Sequence, residues 1–220
     1  MAQTLRVKPK VPPGIDPGGA AIGLITTGID YTLRIVARCL ARDGEGELIG
    51  WDVVDRDRQP FAARVPGVMD DSVLTSSVDC HGQVRLVPVR IDPDDGTSLA
   101  RALAFLSATP VKAAVVPAAH RPKDWAVFRE VVGKFSRRLL VVVGDAAPAG
   151  FEAPANVAFV AGPTRDVATL LALGHAATLA ACLEKSRHAT SDGAELKKLL
   201  LEQIARLPND NLGVLSPKCS

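Results

Sequence analysis

The sequence predicts an α/β protein with a three-layer, doubly wound and mostly parallel sheet. Strand patterns alternate with helix patterns along the chain, hydrophobic residues make up 47%, and aromatic residues only 4%. A core built mainly from Val, Leu, Ile and Ala is typical of helices packed on a parallel sheet. No linker or repeat interrupts positions 20–207, so we expect one domain there. A Pro- and Gly-rich extended arm over 1–19 precedes it, and a tail over 208–220 follows.

The first half of the chain is organised around the apolar run that begins at Ala21 and breaks at Thr26-Thr27-Gly28. Such a run predicts a buried parallel strand whose carboxyl end carries polar groups. Further apolar periodicity predicts helices over 31–41, 70–78 and 98–106, and strands over 47–54 and 84–91. The acidic loop 92–96 precedes the third of these helices, which Thr97 or Ser98 can cap.

The second half continues the alternation. Strands are predicted over 112–116, 139–143 and 156–161, and helices over 123–138, 166–184 and 192–207. The last helix begins with Asp192 and has Glu195 three positions on, which is the pattern of a capping box.

Composition excludes several classes of function. The formal net charge is only +2 and the basic residues are scattered, which argues against a dedicated nucleic-acid or membrane surface. No run is long enough to suggest a membrane span, and no signal peptide is evident. The four cysteines are far apart, so we expect free, reduced thiols and a cytoplasmic protein. No cofactor or metal is predicted.

Five segments carry a more specific pattern, in chain order. They are Ile25-Thr26-Thr27-Gly28-Ile29-Asp30, then Gly50-Trp51-Asp52-Val53-Val54-Asp55-Arg56-Asp57, Arg85–Arg90, Leu139–Gly144, and two final helices with Ala176–Ala181 and Glu195–Lys197. Together these resemble landmarks of the subtilisin-like serine peptidases, the subtilase family (peptidase S8). The resemblance covers about 20–205 and implies a subtilisin-like fold.

The same resemblance implies that the peptidase chemistry is lost. The family aspartate is matched by Thr26, which carries no charge to stabilise an imidazolium. The family histidine is matched by Asp70 in our preferred alignment, with His81-Gly82 as the alternative. The oxyanion asparagine is matched by Asp145, and the serine of Gly-Thr-Ser by Ala176 in Gly174-His175-Ala176. This alignment implies that Thr26, Asp145 and Ala176 lie close together at the carboxyl edge of one sheet, and positions far apart would mean that it is wrong. Such groups act as a unit, so each loss is severe.

Other residues offer alternatives to this interpretation. A relocated triad could draw on Ser76, Ser77, His81, His120, His175 and His188, which would make the chain a serine hydrolase. Cys80 and His81 are adjacent, so their side chains point in opposite directions and suit a shared metal ion poorly. Gly18-Gly19 comes before the first strand, whereas a dinucleotide loop lies between a strand and the following helix. The 92–96 loop lacks the periodic ligands of a calcium loop and reads as a solvated turn.

We therefore expect a non-catalytic, subtilase-like pseudopeptidase that binds a protein or peptide, or that assembles into a homo-oligomer or larger complex. Peptide substrates of the family add as a strand beside the active cleft, and such pairing needs no triad. The segment Val116, Pro117, Ala118, Ala119 and His120 corresponds to one wall of that groove.

Overall fold

The computed structural model describes residues 7–62, 80, 83–117, 124–186 and 192–205. Its centre is a six-stranded sheet in the order β2-β3-β1-β4-β5-β6, and every pairing between neighbouring strands is parallel. The strands are β1 Ala20–Thr26, β2 Trp51–Asp52, β3 Val84–Arg90, β4 Ala113–Pro117, β5 Leu140–Gly144 and β6 Val157–Phe159. The predicted parallel α/β class is confirmed.

Helices cover both faces of the sheet. They are α1 Arg34–Ala37, α2 Gly96–Ser107, α3 Trp125–Gly133, α4 Arg165–Ser186 and α5 Gly193–Ala205. One face packs Ile22, Val115 and Val142 against α4 and α5. The other packs Ile25, Val89 and Val141 against α2 and α3. This makes three layers, because alternate side chains of a strand point to opposite faces.

Two predicted elements are much shorter than expected. The predicted helix 31–41 shrinks to α1, because the Leu86 amide donates to the Cys39 carbonyl and the Ala41 amide to the Leu86 carbonyl. These bonds pull the chain out of helix and alongside β3. Likewise only Trp51–Asp52 of the predicted strand 47–54 joins the sheet. The predicted helix 70–78 lies outside the described residues.

Helix α4 lies close over the end of β5. A Cβ atom placed on Gly144 would come within 2.5 Å of the Thr169 Cα, so only glycine allows this approach. By length and composition, 165–183 is apolar enough to cross a membrane, contrary to the sequence expectation, but 67% of it is buried inside the fold. A core helix passes the same test, and α4 packs as one.

The described part of the N-terminal arm, 7–19, is held against the domain by polar contacts. Asp16 accepts a hydrogen bond from the Arg42 amide at 2.6 Å and forms an ion pair with Arg85 at 3.0 Å. The buried Tyr31 hydroxyl donates to the Pro9 carbonyl at 2.8 Å. Burial, the largest influence, raises the pKa of Tyr31 to about 12. Residues 7–19 of the arm are thus part of the folded structure.

Candidate functional site

The carboxyl ends of the central strands bring two of the predicted positions to one edge. Extending the β1–β4 register by two residues places Thr26 level with Pro117, which pairs with Gly144. Thr26 and Gly144 are therefore about 10 Å apart, two strand spacings. Asp145 follows Gly144 directly, so it lies at the same edge as Thr26.

Thr26 is fully buried and bonded within its own turn. Its Oγ1 donates to the Gly28 carbonyl at 3.1 Å and accepts from the Gly28 amide at 3.2 Å. Gly28 has φ 122°, and a Cβ there would come within 2.6 Å of the Ala62 Cβ. The hydroxyl thus stabilises a turn that needs glycine, and it supplies no charge to the edge.

Asp145 presents a carboxylate to the same edge. Its side chain is 13% exposed, Oδ1 accepts from the Ala146 amide at 2.8 Å, and Oδ2 lies 3.7 Å from the Arg165 Nε. A carboxylate offers no hydrogen to an oxyanion, and its charge would repel one.

Ala176 does not lie at this edge, contrary to the expectation that it lies close to Thr26 and Asp145. Helix α4 begins at Arg165, and Ala176 lies roughly 16 Å further along its axis. There Ala176 is buried among mid-strand residues of the sheet. The small-residue pattern around Gly174 that suggested the match belongs to the packed middle of the helix.

The residues at the helix start are Thr164 and Arg165. Thr164 Oγ1 accepts from the Val167 amide at 3.2 Å, and its carbonyl accepts from the Ala168 amide at 2.9 Å. Thr164 is therefore the helix cap, and the Arg165–Asp145 contact places this helix end beside β5. A threonine three residues before an apolar helical run is a recognisable cap signal, which agrees with the helix predicted from 166 although Thr164 was not singled out.

His175 is the one histidine within the described residues, and it is unsuited to a triad. It is 5% exposed in the middle of α4, and its Nδ1 has no hydrogen-bond partner among them. Burial lowers its pKa. The remaining candidates, Asp70, Ser76, Ser77, His81, His120 and His188, lie outside the described residues.

The predicted groove wall is described only in part. Val116 and Pro117 end β4, while Ala118, Ala119 and His120 lie outside the described residues. Val116 lines a cavity of about 390 Å³ between the amino ends of α2 and α3. Its floor is apolar, and its members are Ile91, Leu99, Val116, Val127 and Phe128.

Four aspartates line the mouth of this cavity: Asp92, Asp94, Asp95 and Asp124. Asp95 caps α2 by accepting from the Thr97 amide at 2.9 Å, and Asp124 caps α3 by accepting from the Ala126 amide at 2.9 Å. Hydrogen bonds from Thr97 lower the pKa of Asp95. The 92–96 loop is thus the rim of a cavity, a role that its sequence alone did not reveal.

The opposite part of the edge, at the ends of β2 and β3, is filled by an ion cluster. The Lys8 ammonium lies 2.6 Å from Asp52, 2.9 Å from Asp55 and 3.0 Å from Asp57, and Arg90 lies 2.8 Å from both Asp52 and Asp55. Although burial lowers the pKa of Lys8, its hydrogen bonds to the three carboxylates raise it overall. The Lys8 hydrogen bond is the main cause that lowers the pKa of Asp55.

The expectation of free thiols is wrong for the described cysteines. Cys39 and Cys80 form a disulfide between positions 41 residues apart, and Cys182 is also disulfide-bonded. Cys39 reaches Cys80 because the segment after α1 runs beside β3, which begins shortly after Cys80. Sequence spacing gave no sign of this pairing.

Comparison with known proteins bears on the fold. No protein-family model and no curated protein sequence matches the chain. The fold is shared with a lanthipeptide protease. That crystal structure aligns over 90% of this chain and 84% of its own, with a TM-score of 0.57 and 10% sequence identity. At this identity the likeness concerns the fold alone.

Proposed function

We propose that the chain is a catalytically degenerate relative of the subtilisin-like serine peptidases that binds a peptide at the carboxyl edge of its sheet. The observation that carries this proposal is the apolar cavity beside Val116, on the same edge as Thr26 and Asp145. A ligand site outside the carboxyl ends of parallel strands is usual for this class of sheet. The likeness to a protease supports the choice of fold family.

Within the described part of the chain, the residues at this edge do not supply the groups that the family reaction uses. Thr26 is neutral and bonded to its own turn, Asp145 would repel an oxyanion, and Thr164 uses its hydroxyl as a helix cap. A positioned base, a nucleophile and oxyanion donors must act together, so these features favour binding without cleavage.

Assembly through an exposed apolar face has less support. Among the described residues, the exposed large hydrophobic side chains are Val7, Ile15, Val54, Val127 and Leu201. They come from the arm, a turn and two different helices. Scattered apolar residues of this kind are normal on a monomer, whereas an interface gathers them into one patch.

The test combines labelling with binding. The purified chain is treated with a fluorophosphonate probe and with a peptide library, with an active serine peptidase as positive control. We expect no labelling and no cleavage, together with saturable binding of a subset of peptides. Stoichiometric labelling of any serine would instead establish a hydrolase with a relocated triad.

We also propose that the protein works in an oxidising compartment and not in the cytoplasm. Disulfides persist outside reducing compartments, and every described cysteine is in a disulfide. Alkylation of the protein in its own cells, before any reductant is added, should leave Cys39 and Cys80 unmodified. Complete alkylation of both would restore the cytoplasmic assignment.

A further inference from the structure

We propose that the cavity between α2 and α3 accepts a lysine or arginine side chain of the bound peptide. This inference rests on the proposed function, because it names the ligand class of that same site. It depends on two independent properties of the cavity, the apolar floor and the charge around its mouth.

The floor suits the aliphatic stem of a long cationic side chain. Ile91, Leu99, Val116 and Phe128 are all buried, and Val127 is partly exposed at the side. A volume of about 390 Å³ lies at the small end of the range for ligand sites. Lysine and arginine place their methylene groups on apolar surface while the charged end stays near water.

The mouth suits the charged end. The rim aspartates on which the inference rests, Asp92, Asp95 and Asp124, are exposed to solvent, and none of the described lining residues is basic. Asp95 and Asp124 cannot turn away freely, because each is fixed by hydrogen bonds to its helix amides. Arg101, one turn along α2, is the described cation that acts on Asp95, and it does not line the cavity.

The negative charge of the rim therefore determines which side chain binds best among those that fit the apolar floor equally well. An acidic side chain would meet like charges, and a neutral one would gain only the apolar contact. Exposed ion pairs are individually weak, so two or three of them predict a preference of roughly tenfold for a cationic side chain.

Tryptophan emission can report occupation of the cavity. Trp125 follows Asp124 directly and packs edge-on against the floor residue Phe128, with ring centroids 5.2 Å apart. The second tryptophan, Trp51, is removed by the conservative substitution Trp51→Phe. This background is titrated with capped Ala- and Val-based heptapeptides whose central residue is arginine, citrulline, norleucine or glutamate.

Charge is removed from the rim without removing its structure. Asp92→Asn and Asp124→Asn keep a side-chain oxygen that can accept the same amide hydrogen bonds. Asp43→Asn is the matched control, because Asp43 accepts amide hydrogen bonds in an exposed turn and does not line the cavity. Circular dichroism checks that all three variants fold.

We expect the arginine peptide to bind roughly tenfold more tightly than the citrulline peptide, and the glutamate peptide to bind most weakly. The double rim variant should reduce the arginine preference to about threefold or less, and the Asp43→Asn control should keep it. Equal affinity for arginine and citrulline, or an undiminished preference in the rim variant, would overturn this inference while leaving peptide binding intact. Failure of every peptide to bind would overturn the proposed function itself.

Discussion

The two parts of the sheet's carboxyl edge use aspartates in opposite ways. At the ends of β2 and β3, Asp52, Asp55 and Asp57 are matched by Lys8 and Arg90 from the same chain. Around the cavity, Asp92, Asp95 and Asp124 accept hydrogen bonds from backbone amides at helix starts and turns. The first group depends on its charge, whereas the second depends on a hydrogen-bond acceptor and leaves its charge at the mouth of a cavity.

The substitution Asp52→Asn should have the largest effect and tests most directly whether the first group of aspartates depends on charge. Asp52 is fully buried and accepts from Lys8, Arg90 and the amides of Val54 and Asp55. The amide would leave two partly buried cations short of charge, so we expect the free energy of unfolding to fall by about 3 kcal/mol. Urea denaturation measures it. A change below about 0.5 kcal/mol, typical of a surface site, would contradict the charge-based interpretation.

Lys8→Met should have an intermediate effect of about 1 kcal/mol, because Arg90 still neutralises part of the cluster. The exposed Lys10→Met on the same arm is the control and should change little.

The dependence of stability on pH should report the contact between Lys8 and Asp55. Because the pKa of Asp55 is lowered from 3.8, its stabilisation is complete above that value and is lost as the pH falls below it. Because the pKa of Lys8 is raised from 10.5, its contribution is complete below 10.5 and is lost as the pH rises beyond it. The free energy of unfolding, measured between about pH 4 and pH 2, should decrease less steeply with falling pH for Lys8→Met than for the natural chain. Parallel acid profiles would show that Lys8 does not stabilise Asp55.

The smallest effect is expected at the cavity. Asp124→Asn should change the free energy of unfolding by only about 0.3 kcal/mol, because asparagine caps a helix as well as aspartate does. Asp124→Ala removes the acceptor for the Ala126 and Val127 amides and should cost about 1 kcal/mol. Thermal unfolding measured on both variants distinguishes the two effects. Equal destabilisation by both substitutions would indicate that charge matters here too.

Local patterns in the sequence were enough to predict the sheet and most of the helices. The aliphatic run at 139–143 and the stripe of α3 are local signals, and the structure places β5 and α3 there. Thr26, Asp145 and Ala176 were predicted to lie together at one edge of the sheet. Thr26 and Asp145 do, because parallel strands align their carboxyl ends, but Ala176 does not. The start of the long helix was predicted to within one residue, at 166 against Arg165, but the family serine motif was matched to Gly174-His175-Ala176 in the middle of that helix.

Long-range contacts were not predictable in the same way. Lys8 meets Asp52 across 44 residues, and Cys39 meets Cys80 across 41. Neither pair has a spacing that a local rule detects, and both depend on how the arm and the segment after α1 lie beside β3. The cavity likewise needs the starts of α2 and α3 to be adjacent, although its acidic loop was visible in the sequence.

Because Tyr31 contacts the arm, the ultraviolet absorbance of its phenol can report on the arm. Tyr31 is the single tyrosine among 220 residues, and its hydroxyl donates to the arm carbonyl of Pro9. Since its pKa is about 12 in the folded chain, phenolate absorbance appearing nearer pH 10 would signal that the phenol has met water. An ultraviolet titration can therefore follow detachment of the arm without any attached dye.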